Sequence, residues 1–537
     1  MTDMVLLGDE AVALGAVHAG LTASYAYPGT PSTEITEYLL RYAATHGSPK
    51  AAWTTNEKTA YEEALGASLV GRRALVSMKH VGLNVASDPF VNSALITING
   101  GLVVVVADDP GMHSSQNEQD SRYYADFARI LCLEPANQQE AYEMTREAYD
   151  LSEQFHIPVL LRLVTRLAHS RAIVRVGDER EQNPIRKAAN WAEWTLLPGN
   201  ARRQWRSLLE RQKDFLAYTE RTPHNPLTLT DRYDLGIITT GLARNYYLEN
   251  ADDLDGRPSH QHIGAYPIPA GRIRELASHV STILILEEGY PLVERFLRGI
   301  IPPGIGIAGK ESGEVPADGE LTPDIVRRAL GLPVRTGVSL AGVTVPNRPP
   351  QLCNGCPHAD SLDALQAALR TFEHTVVTSD IGCYTLAALP PYSAVESCVC
   401  MGASVGMAKG ASEAGFRPAV AVIGDSTFLH SGITPLIDAV AANTDMTLVI
   451  VDNQAVAMTG GQQTMLPSAS LKPLVLGLGM DPAHCHVLKA HHTQTAANTE
   501  IFRKELEYRG LSVVITVREC IETLKAKKKN APTGQNV

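Results

Sequence analysis

The sequence predicts an α/β protein made of three doubly wound parallel units. Three observations point there. Short apolar runs such as "GLVVVVADDP", "STILILEEG" and "TLVIVDN" end abruptly in polar residues. Amphipathic helical stretches alternate with them, the pattern of parallel strands covered on both faces. At 537 residues the chain is also longer than one hydrophobic core usually serves.

The elements follow in order. "EAVALGAVHAG" reads as a helix, "TASYAYPGTPS" as a strand running into a loop, and "STEITEYLLRYAATHG" as a helix again. "RRALVSMKH" and "GLVVVVADDP" read as short buried strands, and "NQQEAYEMTREAYDLSEQFHIPVLLRLV" as a helix followed by a strand. These make a first unit over 1–175. Residues 176–230 are charged and carry tryptophans, which suits a helical linker lying on a domain surface. "YDLGIITTGLARNYYLENA" opens a second unit, 231–340, which ends in a stretch rich in Gly, Pro and Val. A third unit spans 351–520. The segment 521–537, "IETLKAKKKNAPTGQNV", is basic, then polar, and is expected to be disordered.

Composition excludes several classes of function. With 44% hydrophobic and 20% charged residues the chain has the make-up of a soluble globular protein. A net charge of −11 argues against nucleic-acid or anionic-membrane partners. No apolar run reaches membrane-spanning length, and acids rather than basic residues precede the first apolar stretch, so no signal peptide is expected and the location reads as cytoplasmic. Eight cysteines in a chain this long do not make a disulfide scaffold; clustered cysteines in the cytosol bind metal or do redox work.

Two strand ends carry the first chemistry. In "AVIGDSTFLHSGITPLIDAV" an apolar run ends in Gly424 and Asp425, and in "TLVIVDNQAVAMTGGQ" the next ends in Asn453. One helix and one strand lie between them, which is a single right-handed crossover to the neighbouring strand. Ligands of open α/β sheets sit at such carboxyl ends. Gly424 would let a phosphate approach the backbone, and Asp425 and Asn453 offer the hard oxygens that magnesium takes together with phosphates. A strand-end aspartate and a turn asparagine with no ligand would look the same. The spacing resembles the thiamine diphosphate motif, with Ser426 standing where that motif usually has glycine.

A thiamine enzyme also needs a glutamate that hydrogen-bonds the aminopyrimidine, so that the amino group can take the thiazolium proton. "WTTNEKTAYEEALGAS" offers Glu57 at the start of a helix, with Glu62 and Glu63 deeper in it as competitors. A first-turn acid stabilised by the helix dipole is the simpler account of Glu57 alone.

The cysteines narrow the class. "QLCNGCPHAD" holds Cys353 and Cys356, "TSDIGCYTL" holds Cys383, and Cys520 follows the last strand. Four such thiolates fit either a tetrahedral zinc or a [4Fe–4S] cluster. Cys398 and Cys400 are rivals; Cys132 and Cys485 read as buried thiols.

Taken together, "YPGTPSTEI", "NEKTAYEEALGAS", "MKHVGLN", "CNGCPH", "SDIGCYTL", "CMGASVGMAKG" and "GDSTFLHSGI…VDNQAVAMTGGQ" resemble the 2-oxoacid:ferredoxin oxidoreductases, and within them the indolepyruvate-type alpha subunits, over about 1–520. The resemblance implies a pyrimidine-binding domain, a transketolase-C-terminal-like domain and a diphosphate-binding domain. It implies that Thr30 sits beside the thiazolium and that Glu57 activates the cofactor. Gly424, Asp425, Ser426, Asn453 and the carbonyl of Ala455 would hold the diphosphate, with Mg2+ on Asp425, Asn453 and Ala455. Cys353, Cys356, Cys383 and Cys520 would hold a [4Fe–4S] cluster. The implied reaction converts a 2-oxoacid, coenzyme A and oxidised ferredoxin to acyl-CoA, carbon dioxide and reduced ferredoxin. The implied partner is a smaller beta subunit, in a dimer of alpha–beta units.

Two departures are visible. The arginine that binds the substrate carboxylate in some family members has no counterpart in "ADDPGMHSSQNEQDSR", where His113 and Arg122, with His80 nearby, are the candidates. The further cysteine clusters of a ferredoxin-like domain are not in this sequence, so electrons are expected to pass to an external carrier or a partner subunit. Two other readings use the same residues: a non-redox thiamine decarboxylase or lyase, which does not need four placed cysteines, and a non-catalytic assembly subunit with a structural metal.

Overall fold

The computed structural model describes residues 2–231, 234–337, 342, 344 and 350–530. The chain forms two compact units, 1–339 and 340–537. The expected domain boundary at 340 and the tail beyond 530 lie outside the described residues.

The first unit contains two sheets. The larger has seven strands in the order Ala265–Tyr266, Cys132–Leu133, Val159–Val164, Leu102–Asp108, Ala74–Lys79, Ala23–Ala26, Lys50–Trp53. All neighbours are parallel except Ala265–Tyr266, which joins antiparallel. Its central strands are buried throughout, as β-branched and apolar runs covered on both faces must be. The second sheet has five strands in the order Gly306–Ala308, Thr282–Leu286, Leu235–Thr240, Ser259–Ile263, Leu227–Thr228. A separate ribbon pairs Thr2–Leu7 with Arg171–Val176. The segment 176–230 is only partly helical: 177–190 is irregular and precedes the helix Pro198–Thr219, which starts on Pro198 and packs Phe215 edge-on against Phe155.

Two arginines bind the sheets of this unit together. Arg122 donates to Asp120, Thr240 Oγ1, Tyr266 Oη and the carbonyls of Glu288 and Tyr290, and lies 3.1 Å from Glu287. Arg162 reaches Asp108 at 2.6 Å, Glu134, and the Glu288 carbonyl at 3.2 Å. Both guanidiniums are buried, and the surrounding carboxylates hold them charged despite their desolvation.

The second unit carries one parallel five-stranded sheet, in the order Val376–Ser379, Ala419–Gly424, Thr447–Asp452, Ser512–Val517, Cys485–Lys489. The expected disorder from 521 onward is corrected for 521–530, which form the helix Ile521–Asn530. Leu, Lys, Ala and Glu favour helix intrinsically, and the ion pairs Lys525–Glu522 (2.8 Å) and Lys527–Glu519 (2.6 Å) offset the repulsion within the lysine run. Among the described residues no helix is long and apolar enough to cross a membrane.

Candidate active-site faces

In the first unit the expected residues gather at the carboxyl ends of three adjacent strands. The strand Ala23–Ala26 feeds the loop 27–32, a tight turn in which Ser32 N–H and Oγ both donate to the Gly29 carbonyl at 2.8 Å. Thr30 lies in that turn, and its carbonyl accepts from Ser114 Oγ at 3.3 Å. Lys50–Trp53 leads to Asn56, which caps the next helix by accepting from Thr59 N–H, so Glu57 is its first residue and is buried. The glutamate side chain rests on Gly82: an added Cβ there would meet Glu57 Oε1 at 2.6 Å. Glu62 is exposed and Glu63 largely so, which separates them from Glu57.

The third strand ends in Lys79, for which the sequence alone suggests no role. It is buried, donates to the Ser114 carbonyl at 2.6 Å, and has its ammonium pushed down to about 8 by desolvation. A Cβ added at Gly29 would stand 3.2 Å from the Lys79 Cβ, so the Thr30 turn packs directly on this lysine.

The three candidate substrate cations fare differently. Arg122 is corrected: its guanidinium is buried and committed to the network between the two sheets. His113 is exposed and paired with Glu320 at 2.9 Å. His80 is buried beside Lys79 with Nε2 3.3 Å from Asn117 Oδ1, and its Nδ1 has no hydrogen-bond partner.

In the second unit Asp425 and Asn453 stand at the ends of neighbouring parallel strands, both buried. Gln454, at φ +62°, donates its N–H to Asp425 Oδ2 at 3.0 Å and to Asp452 Oδ1 at 3.1 Å. Burial, and then the adjacent Asp452, push Asp425 well above the usual carboxylate range, while Asp452 Oδ2 has no hydrogen-bond partner. Asp452 was missed because an apolar run ending "VDN" draws attention to its asparagine. Ala455 N–H donates to Asn453 Oδ1 at 3.2 Å, which folds this loop back on itself.

Packing within the chain also requires Gly424 to be glycine. A Cβ there would meet the Tyr384 ring at 2.8 Å, and one at Gly382 would meet it at 2.2 Å. The phenol held between them donates to Asp380, whose carboxyl burial raises to about 6 and which also accepts from Ser404 Oγ at 2.6 Å.

The four cysteines come from three segments that converge on this end of the sheet. Cys356 caps the helix Pro357–Leu369, whose first N–H groups point at its sulfur and favour the thiolate against the effect of burial. Cys383 is pushed up to about 12, by burial first and then by the charges of Cys356, Cys520 and Cys353. Cys398, by contrast, feels Asp380 and Cys400 after its own burial. Cys132 and Cys485 are buried among core residues. Cys520 N–H donates to the Asn453 carbonyl at 2.9 Å, so one backbone bond joins the cysteine loop to the asparagine loop.

Comparison with known proteins agrees with these two faces. Residues 14–210 match the family described as pyruvate flavodoxin/ferredoxin oxidoreductase, thiamine diP-binding, and residues 380–514 match the thiamine pyrophosphate enzyme C-terminal TPP-binding domain. The indolepyruvate oxidoreductase subunit IorA of Methanothermobacter marburgensis is 37% identical over 96% of this chain and 87% of its own length. That of Archaeoglobus fulgidus is 36% identical over 96% and 86%. A solved 2-oxoglutarate:ferredoxin oxidoreductase of Magnetococcus marinus shares the fold, with TM-score 0.51 and 16% identity over 61% of this chain and 65% of its own. The chain is thus a mixed α/β enzyme subunit with thiamine diphosphate-binding domains, and it belongs to the thiamine-dependent 2-oxoacid oxidoreductases, in the family of indolepyruvate oxidoreductase alpha subunits.

Proposed function

We propose that the chain oxidatively decarboxylates an aryl pyruvate of the indolepyruvate kind to its acyl-CoA and passes the electrons through a [4Fe–4S] cluster to ferredoxin or a similar carrier. Identity to the named relatives supports the substrate class. The observation that carries the redox reading is the Cys520–Asn453 backbone bond, because a non-redox decarboxylase has no use for thiolates tied to its diphosphate loop.

Thiamine diphosphate, when bound, supplies the electron sink that decarboxylation of a 2-oxoacid requires. Glu57 holds a proton at the aminopyrimidine from its buried seat against Gly82, where exposed Glu62 could not. Thr30 would border the thiazolium, its turn fixed by Lys79 and Ser114. Asp425, Asn453 and the Ala455 carbonyl take Mg2+, and Gly424 and Ser426 line the diphosphate. The crowded Asp425–Asp452 pair fits a divalent cation, since a cation removes the repulsion that otherwise protonates one of them.

Cys353, Cys356, Cys383 and Cys520 hold the cluster. Among the described residues no three of these sulfurs lie within 4.8 Å of one another. Four cysteine thiolates are the usual ligand set of such a cluster. A smaller partner subunit completes the enzyme, in a dimer of such pairs. The test is anaerobic turnover with indolepyruvate, coenzyme A, thiamine diphosphate, Mg2+ and a viologen acceptor, with the partner subunit present. Viologen reduction matched to acyl-CoA supports the proposal; aldehyde and carbon dioxide without viologen reduction would establish the non-redox lyase instead.

A further inference from the structure

A second group of ionisable side chains lies outside the residues assigned to thiamine, diphosphate and cluster. Asp9 opens the helix Gly8–His18, Glu34 opens the helix Thr33–His46, and His169 ends the short helix Thr165–His169. One ligand atom from each lies within 4.8 Å of the other two. The approach is built into the sequence at Gly8, where a Cβ would stand 2.2 Å from the Leu167 carbonyl oxygen; only glycine lets the first helix come so close to the segment carrying His169.

Asp9 makes the group unusual. It is completely buried, yet neither carboxylate oxygen has a hydrogen-bond partner. A carboxyl left so costs a few kcal/mol whichever its protonation state. Glu10 does not relieve it, being turned back to accept from Leu7 N–H at 2.9 Å. No arginine or lysine among the described residues pairs with it either: Arg41 lies 3.9 Å from Glu10 and from Glu37 instead. Glu34 faces His169 at 3.3 Å, and both keep about a third of their side-chain surface exposed, at 35% and 34%, so an ion could enter from solvent and meet Asp9 at the bottom.

We propose that Asp9, Glu34 and His169 form a binding site for a divalent ion of the Mn2+ kind, which accepts two carboxylates and one imidazole. Two carboxylates balance the charge of the ion, His169 serves as a neutral ligand, and waters fill the remaining positions. The ion would tie three chain segments at one point. Glu34 is four residues beyond Thr30, and Thr33 Oγ1 accepts from Gly29 N–H at 3.1 Å, so the tie would steady the turn that presents Thr30. Its role is positioning.

The full-length protein, loaded with thiamine diphosphate and excess Mg2+ to fill the diphosphate site, is titrated with Mn2+ and followed by continuous-wave and pulsed electron paramagnetic resonance. The wild type should bind Mn2+ with nitrogen coupling from a directly bonded imidazole, a signature the diphosphate site cannot give because its ligands are oxygens. His169→Gln, at a partly exposed position, should fold normally and lose the nitrogen coupling. Its affinity should fall at least about tenfold, because even the outer partners of metal ligands are worth that much. The isosteric Asp9→Asn should weaken binding likewise. Absence of bound Mn2+ in the wild type, or nitrogen coupling unchanged in His169→Gln, would overturn the site.

Discussion

Asp425 and Asp452 share one backbone proton donor: Gln454 N–H reaches the first at 3.0 Å and the second at 3.1 Å. Two carboxyls this close and this buried cannot both ionise cheaply without a cation. Asp425→Ala should therefore abolish retention of thiamine diphosphate and activity together. Asp452→Asn should keep the fold but weaken Mg2+-dependent retention, by a smaller factor than Asp425→Ala. Cofactor content after gel filtration in Mg2+, compared for both variants, checks this. Full retention by Asp425→Ala would remove that residue from the diphosphate site.

Glu57 is expected to act in chemistry rather than in holding. Glu57→Gln should bind thiamine diphosphate nearly as the wild type does, yet turn over about 10²-fold more slowly or worse, the scale for losing a positioned acid or base. Glu62→Gln and Glu63→Gln should stay near wild-type rate. Steady-state turnover alongside cofactor content separates the two effects. A normal rate in Glu57→Gln would transfer the role to one of its neighbours.

The cysteine assignment sets four of the eight apart. Serine at Cys353, Cys356, Cys383 or Cys520 should reduce iron content and bleach the broad visible absorption of the anaerobically purified protein. Serine at Cys398, Cys400 or Cys485 should leave both intact. Loss of iron from Cys398→Ser to the same degree as from Cys383→Ser would mean that the wrong third segment has been chosen.

Lys79 should leave its mark on stability as a function of pH. Its folded ammonium titrates near 8, below the ordinary lysine value of 10.5, so the folded state disfavours the charged form. The resulting destabilisation is complete below pH 8. It fades as pH rises from 8 toward 10.5, and is gone once the unfolded lysine is neutral too. Lys79→Met should accordingly gain stability over the wild type at pH 7, and the gain should shrink by pH 10. Denaturant midpoints at the two pH values test this, and a gap that widens with pH would contradict the assigned direction.

If electrons leave through the cysteine loop, the lysines of the helix Ile521–Asn530 are expected to steer an acidic electron carrier toward it. Lys525 feels the thiolates of Cys353 and Cys520 after its own partner Glu522, so it lies within electrostatic reach of them. Replacing Lys525, Lys528 and Lys529 with alanine should slow ferredoxin reduction at low ionic strength and have little effect at high salt, where such steering is screened. Stopped-flow reduction across a salt series reads this directly. Equal rates at low salt would leave these lysines with no part in electron transfer.

Much of the architecture was legible because its signals are local. Strands such as Leu102–Asp108 and Thr447–Asp452 are unbroken apolar runs, and Glu57 was readable as the start of a helix. The order-giving residues Asp425, Asn453 and Cys520 stood out as polar groups at strand ends. What escaped depends on contacts distant in sequence. Arg122 looked available for a substrate because nothing near it in the chain reveals Glu287, Tyr266 or Tyr290 as its partners. Tyr384 gave no sign that it explains both Gly382 and Gly424. The lysine run after Cys520 read as disorder by composition, whereas Glu519 and Glu522 supply the pairing that composition does not weigh.

The arginine network in the first unit bears on how this protein can be cut. Arg122 draws its partners from both sheets: Asp120 and Tyr266 belong with the seven-stranded one, Thr240 and Glu288 with the five-stranded one. A truncated polypeptide ending near 230 would keep both guanidiniums with Asp108, Asp120 and Glu134, but would discard Glu287, Thr240, Tyr266 and the Glu288 and Tyr290 carbonyls. Buried donors left without their partners cost about 1–3 kcal/mol each, and several together are a large share of the stability of an ordinary domain. The two sheets are therefore expected to melt in one transition, and neither should survive as a free-standing module in expression trials.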